Sequence, residues 1–493
     1  MLLTSFFDHL NSRSLFAAVL LLGAVALTGC STSDATGRSF FNGGLTPEKE
    51  QAVGREQHPQ IIEEFGGIYD EDPELTRYVN SLGQFLAQTS ETPNQKFTFT
   101  ILDSPVVNAF ALPGGYVYVT RGLMALANNE AELAGVIAHE IGHVTARHSA
   151  ERYGSQVLAQ VLSAGVGILT RSGEAARAAS TAGGLAVKSF SRDQEFEADL
   201  LGVRYLSRAR FDPEGMGSFL GQLQANSVLD ARIAGVDPAE REGSDITRTH
   251  PRTADRIQRA ISEAGTKAVS DPIVGRDVYL KKIDGMLYGD AEDQGYVRDE
   301  TFSHKELGIT FTVPEGFRLI NSPRRVIAEG PDKAVIVFDS ANRKVKSSLY
   351  DYLVYDWGKD VDLDGIEAIT VNGLEGYTAS TRVKGRDFRL VVIRMPNEAV
   401  YRFRMITQGP QTYELSEELR RTTYSFRALT AREKAALKPL RIRLRTIRPG
   451  DTINSLVARM DVRHYARERF LVINDLPENA VLETGQLVKL IQE

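Results

Sequence analysis

Two histidines four residues apart, His139 and His143, constrain this chain more than any other feature of its sequence. They lie in a segment with helical periodicity, which Asn129 can cap and in which Glu132 completes a capping box. The apolar residues that would form the buried stripe of this helix are Leu133, Val136, Ile137 and Ile141. Because positions i and i+4 of a helix are about 40° apart and one turn along, both imidazoles can reach one metal ion. The pattern therefore predicts a helix that offers two metal ligands from one face.

The two histidines belong to an HExxH motif, His139-Glu140-Ile141-Gly142-His143. In such a motif two neutral imidazole nitrogens hold Zn²⁺, an open position holds water, and the carboxylate takes the proton of that water. We therefore expect one Zn²⁺ in the chain, with His139 and His143 as ligands and Glu140 as general base. A five-residue match can also occur by chance. A third ligand elsewhere in the sequence is therefore needed to support the metal site.

The third ligand is predicted to come from another helix. The metzincin pattern would require a glycine at position 146 and a histidine at position 149, where this chain has Ala146 and Ser149. Glu195 and Asp199 are four residues apart in a later helical segment. Glu195 can therefore bind zinc while Asp199 accepts the free N–H of a ligating histidine. We expect Glu197, between them, to face elsewhere.

A further histidine, His148, follows the motif closely. It lies nine residues after His139, which corresponds to roughly 180° around an unbroken helix. We therefore expect His148 to point away from the metal and to be a surface or packing residue.

The only cysteine, Cys30, directly follows a targeting segment. Arg13 precedes an apolar run over residues 15–27 that is short for a membrane span. The sequence Leu27-Thr28-Gly29-Cys30 resembles the lipobox of bacterial lipoproteins, in which the signal is cut before the cysteine and the cysteine is lipidated. Ser31 then indicates sorting to the outer membrane if the source has two membranes. We expect a lipoprotein on the periplasmic side of the outer membrane, attached through Cys30.

Composition and periodicity divide the first part of the chain into three segments. Residues 1–29 are predicted to be the lipoprotein signal peptide. Residues 30–47 are rich in Ser, Thr, Gly and Asn, which predicts a flexible tether. Residues 48–287 are predicted to be one domain, which contains a strand over 97–102 and a strand–turn–strand pattern over 108–120.

Two modules are predicted downstream, after an acidic linker at 288–301. Residues 302–429 alternate like strands with helical patches among them, which predicts an α+β domain of unknown role without a catalytic constellation. Residues 444–493 resemble a small LysM-like βααβ module, a glycan-binding type, because Gly450-Asp451-Thr452 precedes a helical run with a central Asn474 and a closing Gly485-Gln486. The spacing to Asn474 is a few residues long, so a purely structural cap is the alternative.

Five motifs occur in a characteristic order over residues 48 to about 265. They are Asn108-Ala109-Phe110-Ala111, Pro113-Gly114-Gly115, the HExxH motif, Ser191-Arg192-Asp193-Gln194-Glu195 with Ala198-Asp199, and Thr249-His250-Pro251 with Arg256. Together they resemble the HtpX and CAAX prenyl protease family of zinc peptidases, and its periplasmic branch in particular. The multiple membrane spans of other branches are missing here, since charged residues interrupt the apolar stretch 157–187. Prenylated substrates are therefore not expected.

The resemblance implies a mainly α, gluzincin-type metalloprotease domain with a small sheet whose edge is exposed. It places at the metal centre the ligands His139, His143 and Glu195, the base Glu140, the nearby His250, and the supporting residues Asp199 and Arg256. His250 follows a polar stretch, 236–248, that is predicted to be a loop. Two roles are open for His250, which either stabilises the oxyanion or occupies the open metal position in a resting state.

The expected function is that of a zinc-dependent endopeptidase of the cell envelope, which degrades misfolded or unassembled envelope proteins. The peptide would lie as an extra strand beside Asn108, Ala109 and Phe110. The alternative is a chaperone-like or peptidoglycan-tethering lipoprotein with little proteolysis. Expected partners are protein or peptide substrates, the membrane through Cys30 and peptidoglycan through 444–493. A net charge of −6 gives no reason to expect nucleic acid.

Overall fold

The computed structural model describes residues 30–158, 189–233, 235, 250, 254–341 and 344–493. The predicted signal peptide, nearly all of the stretch 157–187 and the predicted loop 236–248 lie outside the described residues. In the described part, helices dominate the N-terminal region and sheets the C-terminal region, as expected for a multidomain chain. A helix long and apolar enough to cross a membrane is not found among these residues.

Residues 30–47, predicted to be a flexible tether, fold against the helices that follow. Strand β1 (Cys30–Thr32) pairs antiparallel with β2 (Ser39–Phe41), which creates an N-terminal hairpin of residues 30–41. Phe40 and Leu45 are buried in a cluster with Ala150. The tether prediction was wrong because a composition rich in small polar residues does not reveal that a few apolar side chains have a partner surface.

The helical domain contains the following helices in the described residues: α1 (Pro47–Glu64), α2 (Pro73–Gln88), α3 (Arg121–Leu126), α4 (Glu130–Thr145), α5 (Arg192–Arg208), α6 (Glu214–Ile233), α7 (Ala254–Thr266) and α8 (Arg276–Ile283). Asn129 caps α4 by accepting the Glu132 backbone N–H at 2.8 Å, as predicted. The Glu132 carboxylate accepts the N–H of Asn128, one residue before the cap. Ser191 and Gln194 form a capping box at the start of α5.

A small sheet accompanies these helices. Its strands are β3 (Thr98–Leu102), β4 (Ala109–Leu112) and β5 (Tyr116–Thr120), in the order β3-β5-β4. Strands β3 and β5 are parallel, whereas β4 and β5 form an antiparallel hairpin. Strand β4 is thus an edge strand, and it packs against α4, the helix that carries His139 and His143.

Helix α4 is buried almost all round and lies unusually close to α5. A Cβ at Gly142 on α4 would lie 3.0 Å from the Ala198 carbonyl oxygen. A Cβ at Gly202 on α5 would lie 3.2 Å from the His139 backbone nitrogen. Both distances are shorter than ordinary contacts, so glycine at both positions allows the helices to approach. This approach brings the acidic residues of α5 beside the histidines of α4.

The middle of the chain is an antiparallel, sheet-rich region with short helices, in agreement with the predicted α+β class. Its elements are β7 (Tyr296–Arg298), β8 (Thr301–His304), β9 (Ile309–Thr312), β10 (Arg318–Ser322), β11 (Arg325–Glu329), β12 (Val335–Ser340), α9 (Leu349–Asp351), β13 (Asp364–Val371), β14 (Leu374–Val383), β15 (Arg386–Arg394), β16 (Val400–Thr407), α10 (Gln411–Glu414), α11 (Ser416–Ser425), β17 (Arg427–Ala428) and α12 (Ala431–Ala436). Strands β10 to β16 form a seven-stranded sheet, and β17-β9-β8-β7 a four-stranded one. Strand β7 lies inside the predicted linker 288–301.

The C-terminal module contains β18 (Leu440–Thr446), α13 (Ile453–Val457), α14 (Ala466–Ile473) and β19 (Leu487–Gln492). This is the predicted β-α-α-β order. Strand β18 also pairs with β6 (Leu287–Tyr288) at the end of the helical domain, so the module extends a sheet that begins there. The buried Lys489 side chain donates to carbonyls of residues 125–127, at the C-terminal end of α3. The module is therefore docked on the helical domain.

Candidate metal centre

His139 and His143 project from α4 toward one point. Their Nε2 atoms are 3.0 Å apart, and both side chains are buried. On α5, Glu195 Oε1 lies 3.6 Å from His143 Nε2, and Glu195 Oε2 lies 3.6 Å from His139 Nε2. One donor atom from each of these residues and from His250 lies within 4.8 Å of the others. The structure thus brings together the three predicted ligands and His250.

The donor atoms fit a metal ion. The Nδ1 atom of His139 lies 2.9 Å from Asp199 Oδ1. Since an ionised carboxylate only accepts, this contact keeps the proton on Nδ1 and leaves a lone pair on His139 Nε2. That lone pair points at a second imidazole nitrogen and a carboxylate, an arrangement that a shared cation stabilises. Imidazole and carboxylate ligands in this number are typical of Zn²⁺.

Arg256 supports the acidic residues of the site. Its Nε lies 2.8 Å from Asp199 Oδ2, and its remaining nitrogens contact Asp199 Oδ1 at 2.8 Å and Glu195 Oε2 at 2.6 Å. Burial by itself would raise the pKa of Asp199, but the hydrogen bonds and charge of Arg256 lower it to about 2. Burial likewise opposes ionisation of Glu195, and the charges of His250 and Arg256 outweigh it and lower its pKa. Both carboxyl groups are therefore ionised at neutral pH.

Glu140 lies beside the donor cluster without a donor atom in it. Its Oε1 atom is 3.4 Å from His250 Nε2. Its Oε2 atom is buried and has no hydrogen-bond partner among the described residues. Burial raises the pKa of Glu140 above its ordinary value, and His250 and His139 offset part of that shift. An unpaired carboxylate oxygen with a raised pKa suits a general base.

His250 contacts the ligands rather than the surface. Its Nδ1 atom is 2.9 Å from Glu195 Oε1 and 3.3 Å from His139 Nε2. The side chain is buried, and Phe190 packs against the rings of the site, with its centroid 4.0 Å from that of His143 and 5.8 Å from that of His250. Phe190 was not among the predicted site residues, because no sequence motif marks it.

His148 is a packing residue outside the donor cluster, as expected, but it does not point away from the site. The side chain is fully buried, and its Nδ1 atom lies 2.8 Å from His143 Nδ1. Helix α4 ends at Thr145, and Arg147 has a positive φ of 57°, so the chain turns and helical periodicity no longer gives the direction of His148. Glu197, expected to face elsewhere, lies 2.8 Å from His148 Nε2. Both residues belong to the surroundings of the metal centre.

The predicted substrate strand is the edge strand β4 with Asn108 before it. The Asn108 carbonyl accepts the Thr120 N–H, so Asn108 and Phe110 hydrogen-bond to β5. Along an antiparallel strand, successive residues direct their main-chain N–H and C=O groups alternately toward and away from the partner strand. The main-chain groups of Ala109 and Ala111 therefore point away from β5. The Phe110 side chain is buried in a cluster with Leu112, Tyr118 and residues of α1.

A metal-binding helix pair, a buried carboxylate beside the donors and an adjacent edge strand define a metallopeptidase-type domain. Residues 73–264 match the profile of Peptidase family M48. The resemblance inferred from the sequence motifs is thereby confirmed at the level of this domain.

Named proteins similar to this chain are proteases. The beta-barrel assembly-enhancing protease of Escherichia coli K12 is 35% identical over 220 residues, which cover 43% of each protein. The corresponding protein of Yersinia pestis is 34% identical over 259 residues, 50% of this chain and 51% of that protein. The mitochondrial metalloendopeptidase OMA1 of Schizosaccharomyces pombe is 28% identical over 224 residues, 45% and 63% respectively. The chain thus spans about half the length of the bacterial proteins or less.

Among solved structures, the solution structure of cyanobacterial PsbP from Synechocystis covers 26% of this chain and 91% of that protein. It is 17% identical, with a TM-score of 0.21.

Proposed function

We propose that the protein is a zinc-dependent endopeptidase of the cell envelope that degrades misfolded or unassembled envelope proteins. One observation carries the proposal: the unpaired Glu140 oxygen lies buried beside a cluster of donors suited to zinc. The family match and the protease relatives support it. The names of those relatives refer to a protease in barrel assembly and to a metalloendopeptidase.

In the proposed mechanism His139, His143 and Glu195 hold the metal. A bound zinc ion would polarise the scissile carbonyl and make a water molecule more acidic. Glu140 takes the proton of the attacking water at its unpaired oxygen and then delivers that proton to the leaving amine. The raised pKa of Glu140 favours the first half of this transfer, because a higher pKa makes the carboxylate a stronger base. Asp199 and Arg256 hold His139 and Glu195 in position.

For His250, the geometry favours the resting-state role over oxyanion stabilisation. Its Nδ1 atom is within 3.3 Å of a ligand nitrogen and is one of the clustered donors. With a metal bound, a histidine in this position would supply a fourth ligand and close the position that water needs. Substrate binding would have to displace it.

The substrate is proposed to add a strand to β4. The outward main-chain groups of Ala109 and Ala111 offer hydrogen bonds to any extended peptide, with little dependence on its sequence. Such recognition suits unfolded chains, whose backbone is exposed. It is consistent with a role in protein quality control.

Lipid attachment at Cys30 and peptidoglycan binding by residues 444–493 are proposed for the location of the protein. Cys30 is exposed at the start of the N-terminal hairpin. In the C-terminal module, Gly450 and Pro477 lie in exposed loops, whereas Lys489 faces the helical domain. Exposed loops at one end leave room for a glycan chain on a docked module.

The test compares Glu140→Gln with Glu214→Gln in purified protein. Glu140→Gln should keep stoichiometric zinc and lose on the order of a hundredfold or more in chelator-sensitive casein cleavage. Glu214 is exposed on α6, so its replacement should change neither quantity. Glu195→Gln should lose zinc as well as cleavage.

Two outcomes would contradict the proposal. Wild-type protein without zinc would exclude the metal centre. Zinc-loaded wild-type protein without cleavage of casein or unfolded envelope proteins would favour the chaperone-like or tethering alternative. Sacculus pull-down with and without residues 444–493 tests the glycan-binding part separately.

A further inference from the structure

A line of polar contacts leads from His143 to the N-terminal hairpin. His143 Nδ1 lies 2.8 Å from His148 Nδ1, and His148 Nε2 lies 2.8 Å from Glu197 Oε2. Arg38, immediately before β2, donates to Glu197 Oε2 at 3.0 Å and forms two bonds to Glu151 at 2.6 and 2.8 Å. The contacts join three segments that are distant in sequence.

The direction of these hydrogen bonds follows from the chemistry of the groups. A carboxylate only accepts, so His148 Nε2 carries a proton and donates it to Glu197. In the neutral imidazole His148 Nδ1 is then an acceptor, and the proton between the two rings belongs to His143 Nδ1. His143 Nε2 is left with a lone pair, and this is the atom that faces His139 and Glu195. The contacts therefore select the tautomer of His143 that binds a metal.

The Glu197 carboxylate is well placed to fix the direction of the hydrogen bonds between His143 and His148. It accepts hydrogen bonds from both His148 and Arg38. Its side chain retains 19% exposure, whereas the His148 side chain has none. Arg38 therefore holds the Glu197 carboxylate at the position where it accepts from His148.

The other ligand histidine has an analogous arrangement. His139 Nδ1 lies 2.9 Å from Asp199 Oδ1, and Arg256 donates to Asp199. His143 reaches its carboxylate through one additional imidazole, and that carboxylate is again held by an arginine, Arg38. Both ligands on α4 are therefore supported by a carboxylate on α5.

We propose that His148 and Glu197 are positioning residues for the metal ligand His143, and that Arg38 of the N-terminal hairpin holds them in place. The inference rests on the proposed zinc binding by His143. The N-terminal hairpin is then part of the support of the metal centre. The proposed lipid attachment site, Cys30, lies eight residues before Arg38.

The experiment measures the zinc dissociation constant of the full chain by competition with a chelator. His148→Ala and Glu197→Gln should each weaken zinc binding by about 10- to 100-fold, the effect typical of partners that orient metal ligands. Arg38→Met should weaken it in the same direction. His148→Asn should recover part of the affinity lost in His148→Ala, because the Asn oxygen occupies the position of His Nδ1 and accepts from His143.

The control is His304→Ala, which removes a buried histidine of the middle domain. Its zinc affinity should equal that of wild type. Melting temperatures of the chelated proteins separate folding from positioning, since a positioning role lowers the stabilisation gained on adding zinc. If His148→Ala does not fold, Glu197→Gln and Arg38→Met carry the test.

The inference is overturned if these variants melt at lower temperature without zinc yet bind zinc within threefold of wild type. Wild-type zinc affinity in both Glu197→Gln and His148→Ala also overturns it. A wild-type protein that binds no zinc refutes the proposed function instead, so the two failures are distinguishable.

Discussion

Replacement of Lys489 by methionine should loosen the contact between the C-terminal module and the helical domain. Lys489 is fully buried, and its ammonium donates to the carbonyls of Ala125, Leu126 and Ala127 at 2.9, 3.3 and 2.8 Å. These carbonyls end α3, just before the helix that carries the metal ligands. Burial lowers the pKa of Lys489, and the nearby Glu132 carboxylate partly offsets that shift.

The size of the effect follows from these contacts. Hydrogen bonds to a charged group contribute about 2 kcal/mol each, so three contribute roughly 6 kcal/mol. Methionine has a similar shape and avoids the cost of burying an ammonium, which is several kcal/mol. The expected net loss is therefore about 3 kcal/mol, which corresponds to roughly a hundredfold in an equilibrium constant.

Hydrogen exchange followed by mass spectrometry is the appropriate assay, because a multidomain chain has no single free energy of unfolding. Under conditions in which the exchange rate depends on the opening equilibrium, amides of β18 and β19 should exchange roughly a hundredfold faster in Lys489→Met than in wild type. The seven-stranded sheet is the internal reference. Lys438→Met, at an exposed lysine, is the matched control and should leave exchange unchanged. Exchange in β18 and β19 within threefold of wild type would refute the reasoning.

Three further changes test the metal centre and the anchor. Asp199→Asn removes the charge that lies 2.9 Å from His139 Nδ1 and accepts from Arg256, so zinc affinity should fall about 10- to 100-fold in a chelator competition. Wild-type affinity would contradict the proposed support. His250→Ala should raise hydrolysis of a quenched peptide at unchanged zinc stoichiometry, because the fourth ligand position opens to water. A fall in rate with zinc retained would return His250 to the oxyanion role. Cys30→Ser should abolish palmitate labelling of the protein and its recovery in the membrane fraction. Unchanged labelling would exclude the lipoprotein hypothesis.

Local geometry explains what could be predicted. The helix around His139 and His143 and its Asn129 cap are found as expected, because caps and i, i+4 spacing depend only on neighbouring residues. The same rule placed Glu195 and Asp199 on one face of α5, and the structure brings that face to the histidines. The β-α-α-β order of the C-terminal module was likewise readable from local patterns.

The sequence by itself therefore determined the helix of the HExxH motif, the second acidic helix and the order of the modules. Tertiary structure alone decided the surroundings of the metal centre. His148 was misplaced because α4 ends at Thr145, after which periodicity has no meaning. Arg38 and Lys489 are separated from their partners by more than a hundred residues, and no local pattern encodes such contacts. They depend on which surfaces pack together, and that is decided by the close approach of whole helices and sheets.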